Sequence, residues 1–205
     1  MRLPVTRSGQ KLALLGKISD VAAAGVDWIQ LREKDLNAKE LAALARQAIS
    51  SIPRSCRVLI NDRLDVARAV RAGGVHLGEE SIPVQEAKRF VRERGMDKDF
   101  LIGASVHSLE GARSAERDGA DYIVFGPIFA TSSKEIYGKP QGLEKLADIC
   151  SEISIPVFAI GGITAENARE CYAQEVRGIC AIGVFQKASD LATVVKQLRT
   201  SYQSS

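Results

Sequence analysis

Eight short apolar segments, each trailed by a stretch of helical periodicity and recurring at roughly 25-residue intervals, predict an α/β protein built as a single (β/α)8 barrel, a TIM barrel, over residues 1–205. A second observation supports that class. Nearly every apolar segment ends in polar residues or glycine at its carboxyl end, the edge on which such barrels keep their chemistry. A doubly wound open sheet, the rival α/β architecture, requires neither feature.

Leu3–Thr6 is the first, short strand. Lys11–Ala24 reads as a helix with Leu12, Leu15, Ile18 and Val21 or Ala22 on its inner side, closed by Gly25. Asp27–Leu31 is the second strand, and Ala38–Ser51 a helix capped by Asn37, with Glu40 in the capping-box position. Arg57–Ile60 is the third strand, followed by the turn Asn61-Asp62 and a short helix to Ala72. Gly74–Leu77 is the fourth; Pro83 then sits at the favoured first position of a helix. Phe100–Ala104 is the fifth, with Ser108 capping a helix through Asp118 that Gly111 weakens. Asp121–Phe125 is the sixth, followed by a long loop, Gly126–Gln141, and a helix over Gly142–Ser151. Pro156–Ile160 is the seventh, with a helix from about Ala165; Gly178–Ile182 is the eighth, and Leu191–Ser201 the closing helix.

Composition narrows the function. A net charge of +3, with no basic stripe, argues against a nucleic-acid partner, so any affinity for anions must be local. No apolar stretch approaches the ~20 residues that span a bilayer, and no membrane partner is expected. Met1–Gln10 lack the apolar core of a signal peptide, so a cytoplasmic location is expected. Cys56, Cys150, Cys171 and Cys180 have no paired spacing and read as free thiols. Small molecules are the expected partners, and a homo-oligomer is compatible with the fold.

Reading only the strand ends gives Gln30, Arg32 and Lys34, which would share one face if extension runs on through Lys34. Then come Asn61 and Asp62; Gly78, Glu79, Glu80 and Ser81; Ser105 and His107; Thr131, Ser133 and Lys134; Gly161 and Gly162; and Gly183. Arg32, Lys34 and Lys134 converge from two strand ends, with hydroxyls at Thr131 and Ser133, as a cradle for a polyanion such as pyrophosphate. Asp62 could hold a magnesium ion, Mg2+, that shares those phosphate oxygens. Gly161, Gly162 and Gly183 lie where this fold binds phosphate through bare backbone N–H groups. Taken singly, Asn61-Asp62 is more often a turn than a metal loop, His107 more often a hydrogen bonder at a helix entry than a catalyst, and the glycine pair equally a tight bend. Their agreement on one rim favours a site.

Seven motifs stand in order: Gln30-Leu31-Arg32-Glu33-Lys34, Leu59-Ile60-Asn61-Asp62-Arg63, Gly74-Val75-His76-Leu77-Gly78, Gly126-Pro127-Ile128-Phe129, Thr131-Ser132-Ser133-Lys134, Gln141-Gly142-Leu143 and Ala159-Ile160-Gly161-Gly162-Ile163. Together they resemble the thiamine phosphate synthase family over essentially the whole chain. The resemblance implies a transferase that joins hydroxymethylpyrimidine diphosphate to hydroxyethylthiazole phosphate, the diphosphate leaving first. It implies that Gln30, Arg32, Lys34, Asn61 and Lys134 contact the pyrimidine diphosphate, that Asp62 binds magnesium and that Ser105 sits by the reacting centre. Thr131, Ser133, Gly162 and the backbone near Ile182-Gly183 would hold the thiazole phosphate.

Two departures bear on that expectation. The family usually has Gln-(Glu/Asp)-Asp after Gly78, the last aspartate being a second magnesium ligand; here Glu79-Glu80-Ser81 puts a serine there. Glu80 is then the carboxylate available to join Asp62. Gly183 stands where a serine is usual, keeping the backbone donor and losing the hydroxyl. The segment Ser105-Val106-His107-Ser108-Leu109-Glu110 also resembles the related TenI-type thiazole tautomerases, in which a histidine here acts as acid and base. A tautomerase, or a non-catalytic regulatory barrel that binds thiazole phosphate, is the alternative expectation.

Overall fold

The computed structural model describes residues 8–95, 99–130 and 139–203. In chain order the elements are α1 Ser8–Ala23, β1 Trp28–Leu31, α2 Ala38–Ser50, β2 Arg57–Asn61, α3 Leu64–Ala69, β3 Gly74–Leu77, α4 Val84–Glu93 and β4 Leu101–Val106. Then follow α5 Leu109–Arg117, β5 Tyr122–Phe125, α6 Gly142–Glu152, β6 Val157–Ile160, α7 Ala168–Tyr172, β7 Gly178–Cys180, α8 Gly183–Lys187 and α9 Leu191–Gln203. The seven strands pair in parallel in unbroken sequence order, β1 to β7. A doubly wound sheet reverses its strand order at a switch point, so that rival is excluded. Seven of the eight expected strands are therefore present; the first, Leu3–Thr6, lies outside the described residues.

Alternation along the strands builds two apolar layers. Ile29, Val58, Ile60, Val75, Ile102, Ile123, Phe125 and Ala159 point outward and pack under the helices in one continuous core. Their neighbours Trp28, Leu59, Leu101, Tyr122, Val124 and Phe158 form a second, smaller cluster on the other face. That second cluster shows that the sheet is curled. In a flat sheet β1 and β5 would lie roughly 19 Å apart, four spacings of about 4.8 Å. Yet the Trp28 ring on β1 lies 5.1 Å, centre to centre, from Tyr122 on β5 and 5.1 Å from Phe158 on β6. Such ring pairs contribute about 0.5–1.5 kcal/mol each beyond the area they bury.

Glycine makes the curl possible at one row. Asn61, His76, Gly103 and Tyr122 are successive register partners across β2, β3, β4 and β5. A Cβ on Gly103 would come within 2.0 Å of the Tyr122 ring, so only glycine lets that ring lie across β4.

Several expectations shift. The inner face of α1 carries Leu14, Ile18, Val21 and Ala22, with Leu15 packed against it, whereas Leu12 is 71% exposed, because Leu12 lies about 200° around the helix from Leu14. The second strand stops at Leu31, and Lys34 is exposed in a turn instead of continuing the extended face of Gln30 and Arg32. Pro83 is the N-cap of α4, one residue before the first helical position. The last strand is shortened to Gly178–Cys180, with Ile182 capping α8, a five-residue helix that the sequence pattern did not announce. The capping box of Asn37 and Glu40 is present, each side chain accepting from the other's backbone N–H.

Replacing Gly103 with alanine should overpack the inner face. We expect Gly103→Ala to lower unfolding free energy by about 1–3 kcal/mol, read from urea unfolding. A variant as stable as the parent would show that the Tyr122 ring yields freely.

Candidate active site

The carboxyl ends of β1 to β4 carry a connected set of polar side chains. Gln30, at the end of β1, donates from Nε2 to Oδ1 of Asn61 on β2 (2.8 Å). Asn61 donates in turn to Oδ2 of Asp62 (2.5 Å). The other carboxylate oxygen, Oδ1, accepts from the backbone N–H of Gly78 (3.2 Å) and from the Ser81 hydroxyl, in a short bond. Gly78 also donates to Ser81 Oγ at 2.7 Å. Asp62 reaches this position from a left-handed backbone conformation, φ 59°, which aspartate tolerates better than most residues.

A separate chain crosses the inner face. His76, 3% exposed, places Nδ1 3.1 Å from the Tyr122 hydroxyl and Nε2 2.8 Å from Ser105 Oγ. Burial holds its imidazole well below the usual histidine range, at about 4; the Arg32 charge lowers it further and Asp62 opposes the shift. Arg32, half-buried, follows Leu31 immediately beyond the end of β1. Burial also raises the Tyr122 phenol well above its ordinary value.

His107 stands apart from that chain. Its Nδ1–H donates to the Gly126 carbonyl (2.5 Å), which leaves Nε2 on the side of Glu79, 4.0 Å from its Oε1. Gly161 and Gly162 both have positive φ, 101° and 66°. Cβ atoms there would fall 2.4 Å from Pro127 and 2.5 Å from the Ala130 carbonyl oxygen, so the glycine pair lets the loop after β6 lie against the segment after β5. Asn167 fastens this loop, donating to the Gly162 carbonyl and accepting from the Thr164 N–H. Gly183 opens α8 with free space around its α-carbon, beside the exposed Ile182.

The sequence-predicted residues thus fall into several groups. Gln30, Asn61, Asp62 and Ser81 are joined by hydrogen bonds; Ser105 belongs to the inner chain; His107, Gly161, Gly162 and Gly183 lie on the neighbouring strand ends. Glu80 and Lys34 are exposed on the rim. Thr131, Ser133 and Lys134 lie outside the described residues. Sequence reasoning gave no role to His76 and Tyr122. The signal was available: both residues are polar members of otherwise apolar strands, in phase with Asn61 across the sheet.

As a cation site, Asp62 offers one carboxylate with a hydroxyl and an amide beside it. Among the described residues no group of three or more His, Cys, Asp or Glu side chains gathers. Magnesium is commonly held by one or two carboxylates and completed by substrate phosphates. The donor set fits an ion of that kind.

Fold and site together define a barrel-type α/β protein whose polar groups gather at the carboxyl edge of a curled parallel sheet. Comparison with known proteins is more specific. A family model described as thiamine monophosphate synthase matches residues 3–185. The chain is 40% identical over 196 residues to the thiamine-phosphate synthase of Moorella thermoacetica, covering 95% of this chain and 90% of that protein. It is 42% identical over 180 residues to the thiamine-phosphate synthase of Methanoculleus marisnigri, covering 87% and 82%. The solved thiamine phosphate pyrophosphorylase from Pyrococcus furiosus superposes with a TM-score of 0.80 at 34% identity, covering 93% of this chain and 89% of that one. The chain belongs to the thiamine monophosphate synthase family.

The buried imidazole gives a pH signature. Its folded-state pKa lies below the ordinary 6.5, at about 4, so between those values the unfolded chain binds a proton that the native state refuses. The contribution is whole above pH 6.5 and shrinks as pH falls toward 4, by about 1.4 kcal/mol per unit. His76→Gln should flatten the stability profile in that window. A slope unchanged in urea unfolding from pH 4 to 7 would place the imidazole in a wetter setting.

Proposed function

We propose that the chain is a thiamine-phosphate synthase, a transferase that joins hydroxymethylpyrimidine diphosphate to hydroxyethylthiazole phosphate and releases pyrophosphate. The observation that carries the reading is the hydrogen-bonded set Gln30–Asn61–Asp62–Ser81 at the strand ends next to Arg32, in a chain of this family. A closed eight-stranded barrel is part of the reading, supported by the seven strands in unbroken sequential order. So is a cytoplasmic setting, which the four free cysteines suit. Among the described residues no helix is long and apolar enough to cross a membrane.

In this reaction the departure of a diphosphate needs stabilisation more than it needs a protein nucleophile. Arg32 and Lys34, with Lys134, bind the diphosphate oxygens and neutralise the charge that builds as the bond breaks. Gln30 and Asn61, already fixed on one another, orient the pyrimidine. Ser105 lies beside the reacting centre, while Thr131, Ser133, Gly161, Gly162 and the Ile182-Gly183 backbone hold the thiazole phosphate. Asp62 is the carboxylate that would hold magnesium, with Glu80 the neighbouring carboxylate that could join it. When bound, the ion supplies positive charge to the diphosphate oxygens.

A second reading, a thiazole tautomerase, is favoured by one observation. The hydrogen bond from His107 Nδ1–H to Gly126 fixes the tautomer and leaves Nε2 able to take a proton. An assay of thiamine phosphate formation from the two purified substrates, with and without magnesium, should show coupling, and His107→Asn should retain most of it. Isomerisation of thiazole carboxylate phosphate, abolished in His107→Asn, would transfer the assignment to the tautomerase. Neither activity in the parent protein would leave a thiazole-phosphate-binding regulatory barrel.

The Ser81 bond to Asp62 leads to a metal prediction. One carboxylate oxygen is already occupied by a neutral hydroxyl, so magnesium should bind weakly to the free protein and well once pyrophosphate oxygens complete its shell. Calorimetric titration of the parent, Ser81→Asp and Glu80→Gln, each with and without pyrophosphate, checks this. Ser81→Asp should lower the magnesium required, and Glu80→Gln should change nothing. A large loss in Glu80→Gln would establish a two-carboxylate site instead.

A further inference from the structure

Three side chains on three adjacent strands form a directed chain on the inner face: Tyr122 on β5, His76 on β3 and Ser105 on β4. Tyr122 reaches His76 across an intervening strand because Gly103, the register partner of both, has no side chain to obstruct the phenol. The phenol is enclosed by aromatic rings, Trp28 at 5.1 Å, Phe158 at 5.6 Å and His76 itself at 5.7 Å. Among the described residues its hydrogen-bond partner is His76 Nδ1. A phenol is a better donor than acceptor, and a buried hydroxyl hydrogen left without an acceptor is strongly disfavoured. The Tyr122 proton therefore goes to Nδ1. A neutral imidazole has one donor and one acceptor nitrogen, so Nε2 carries the hydrogen and donates it to Ser105 Oγ, 2.8 Å away. Ser105 cannot donate back to a nitrogen that already bears a proton. Its own hydrogen is then left for an acceptor other than His76.

We propose that Tyr122 and His76 are positioning residues that fix the half-buried Ser105 hydroxyl as a hydrogen-bond donor to an acceptor atom of the bound substrate, an anionic oxygen or an aromatic ring nitrogen. This deepens the synthase reading and rests on it for the identity of the substrate. With the opposite polarity Ser105 would spend its proton on His76 and offer the ligand only a lone pair. That arrangement would repel a phosphate oxygen instead of binding it.

The tautomer can be observed without substrate. Long-range proton–nitrogen correlation spectra of the ligand-free protein, assigned with His76→Gln, should show His76 protonated at Nε2 and bare at Nδ1. Tyr122→Phe keeps the ring in its aromatic setting, and its thermal midpoint checks the fold; it should erode that preference. In coupling assays Ser105→Ala and Tyr122→Phe should each lower kcat by about tenfold, the size of one lost hydrogen bond. The double variant should be no slower than Ser105→Ala, since Tyr122 acts only through the serine. A merely structural tyrosine would make the two losses multiply. An Nδ1-protonated His76 in the parent, or multiplicative losses, overturns the proposal. A parent protein without coupling activity would instead remove the synthase reading, and the spectra alone would still decide the polarity of the chain.

Discussion

The curl of the sheet is the constraint on which the rest of the molecule depends. It is held from inside by the contact of Trp28 with Tyr122 and Phe158, which joins one end of the strand series to strands four and five places along it. Curling also converges the carboxyl ends of β1 to β4 on one patch. Without it, Gln30 and Ser105 would belong to separate stretches of a broad edge. Gly103 serves both ends, since the space it leaves admits the ring that packs against Trp28 and lets the phenol of that ring reach His76.

The polar groups on this patch are ordered by mutual hydrogen bonding. Gln30 is held by Asn61, Asn61 holds Asp62, and Asp62 is closed off by Gly78 and Ser81. Such preorganisation reduces what binding must spend on fixing side chains. It also changes the meaning of the serine at position 81. A hydroxyl that donates to the carboxylate satisfies it in the free protein without adding charge, so a cation there competes with an existing bond. The glycine pair after β6 is likewise explained locally. Close passage of the 126–130 backbone excludes a side chain at either position, and any role toward phosphate is added to that requirement.

The four cysteines carry no signal toward function. Burial raises the thiols of Cys56 and Cys150 to about 11 and those of Cys171 and Cys180 to about 12, which leaves them protonated and unreactive near neutrality. The polar groups that the strand ends present are instead oxygen, amide and imidazole groups.

The sequence by itself determined the alternation of strands and helices, the helix entries at Asn37 and Ser108, and the strand-end positions of Gln30, Asn61, Asp62, Ser105 and His107. Those features are local: a period of two or 3.6, a capping side chain, a glycine at a bend. Its ordered motifs also carried the family resemblance. Only the tertiary structure decided which of these residues touch. That Tyr122 lies over Gly103, that His76 joins it to Ser105, and that Ser81 instead of Glu80 closes on Asp62 all follow from strand register and curl, which no local period encodes. The end of β1 at Leu31 and the short helix after β7 were set the same way. Packing against neighbouring elements, and not intrinsic preference, fixes where so short a segment stops.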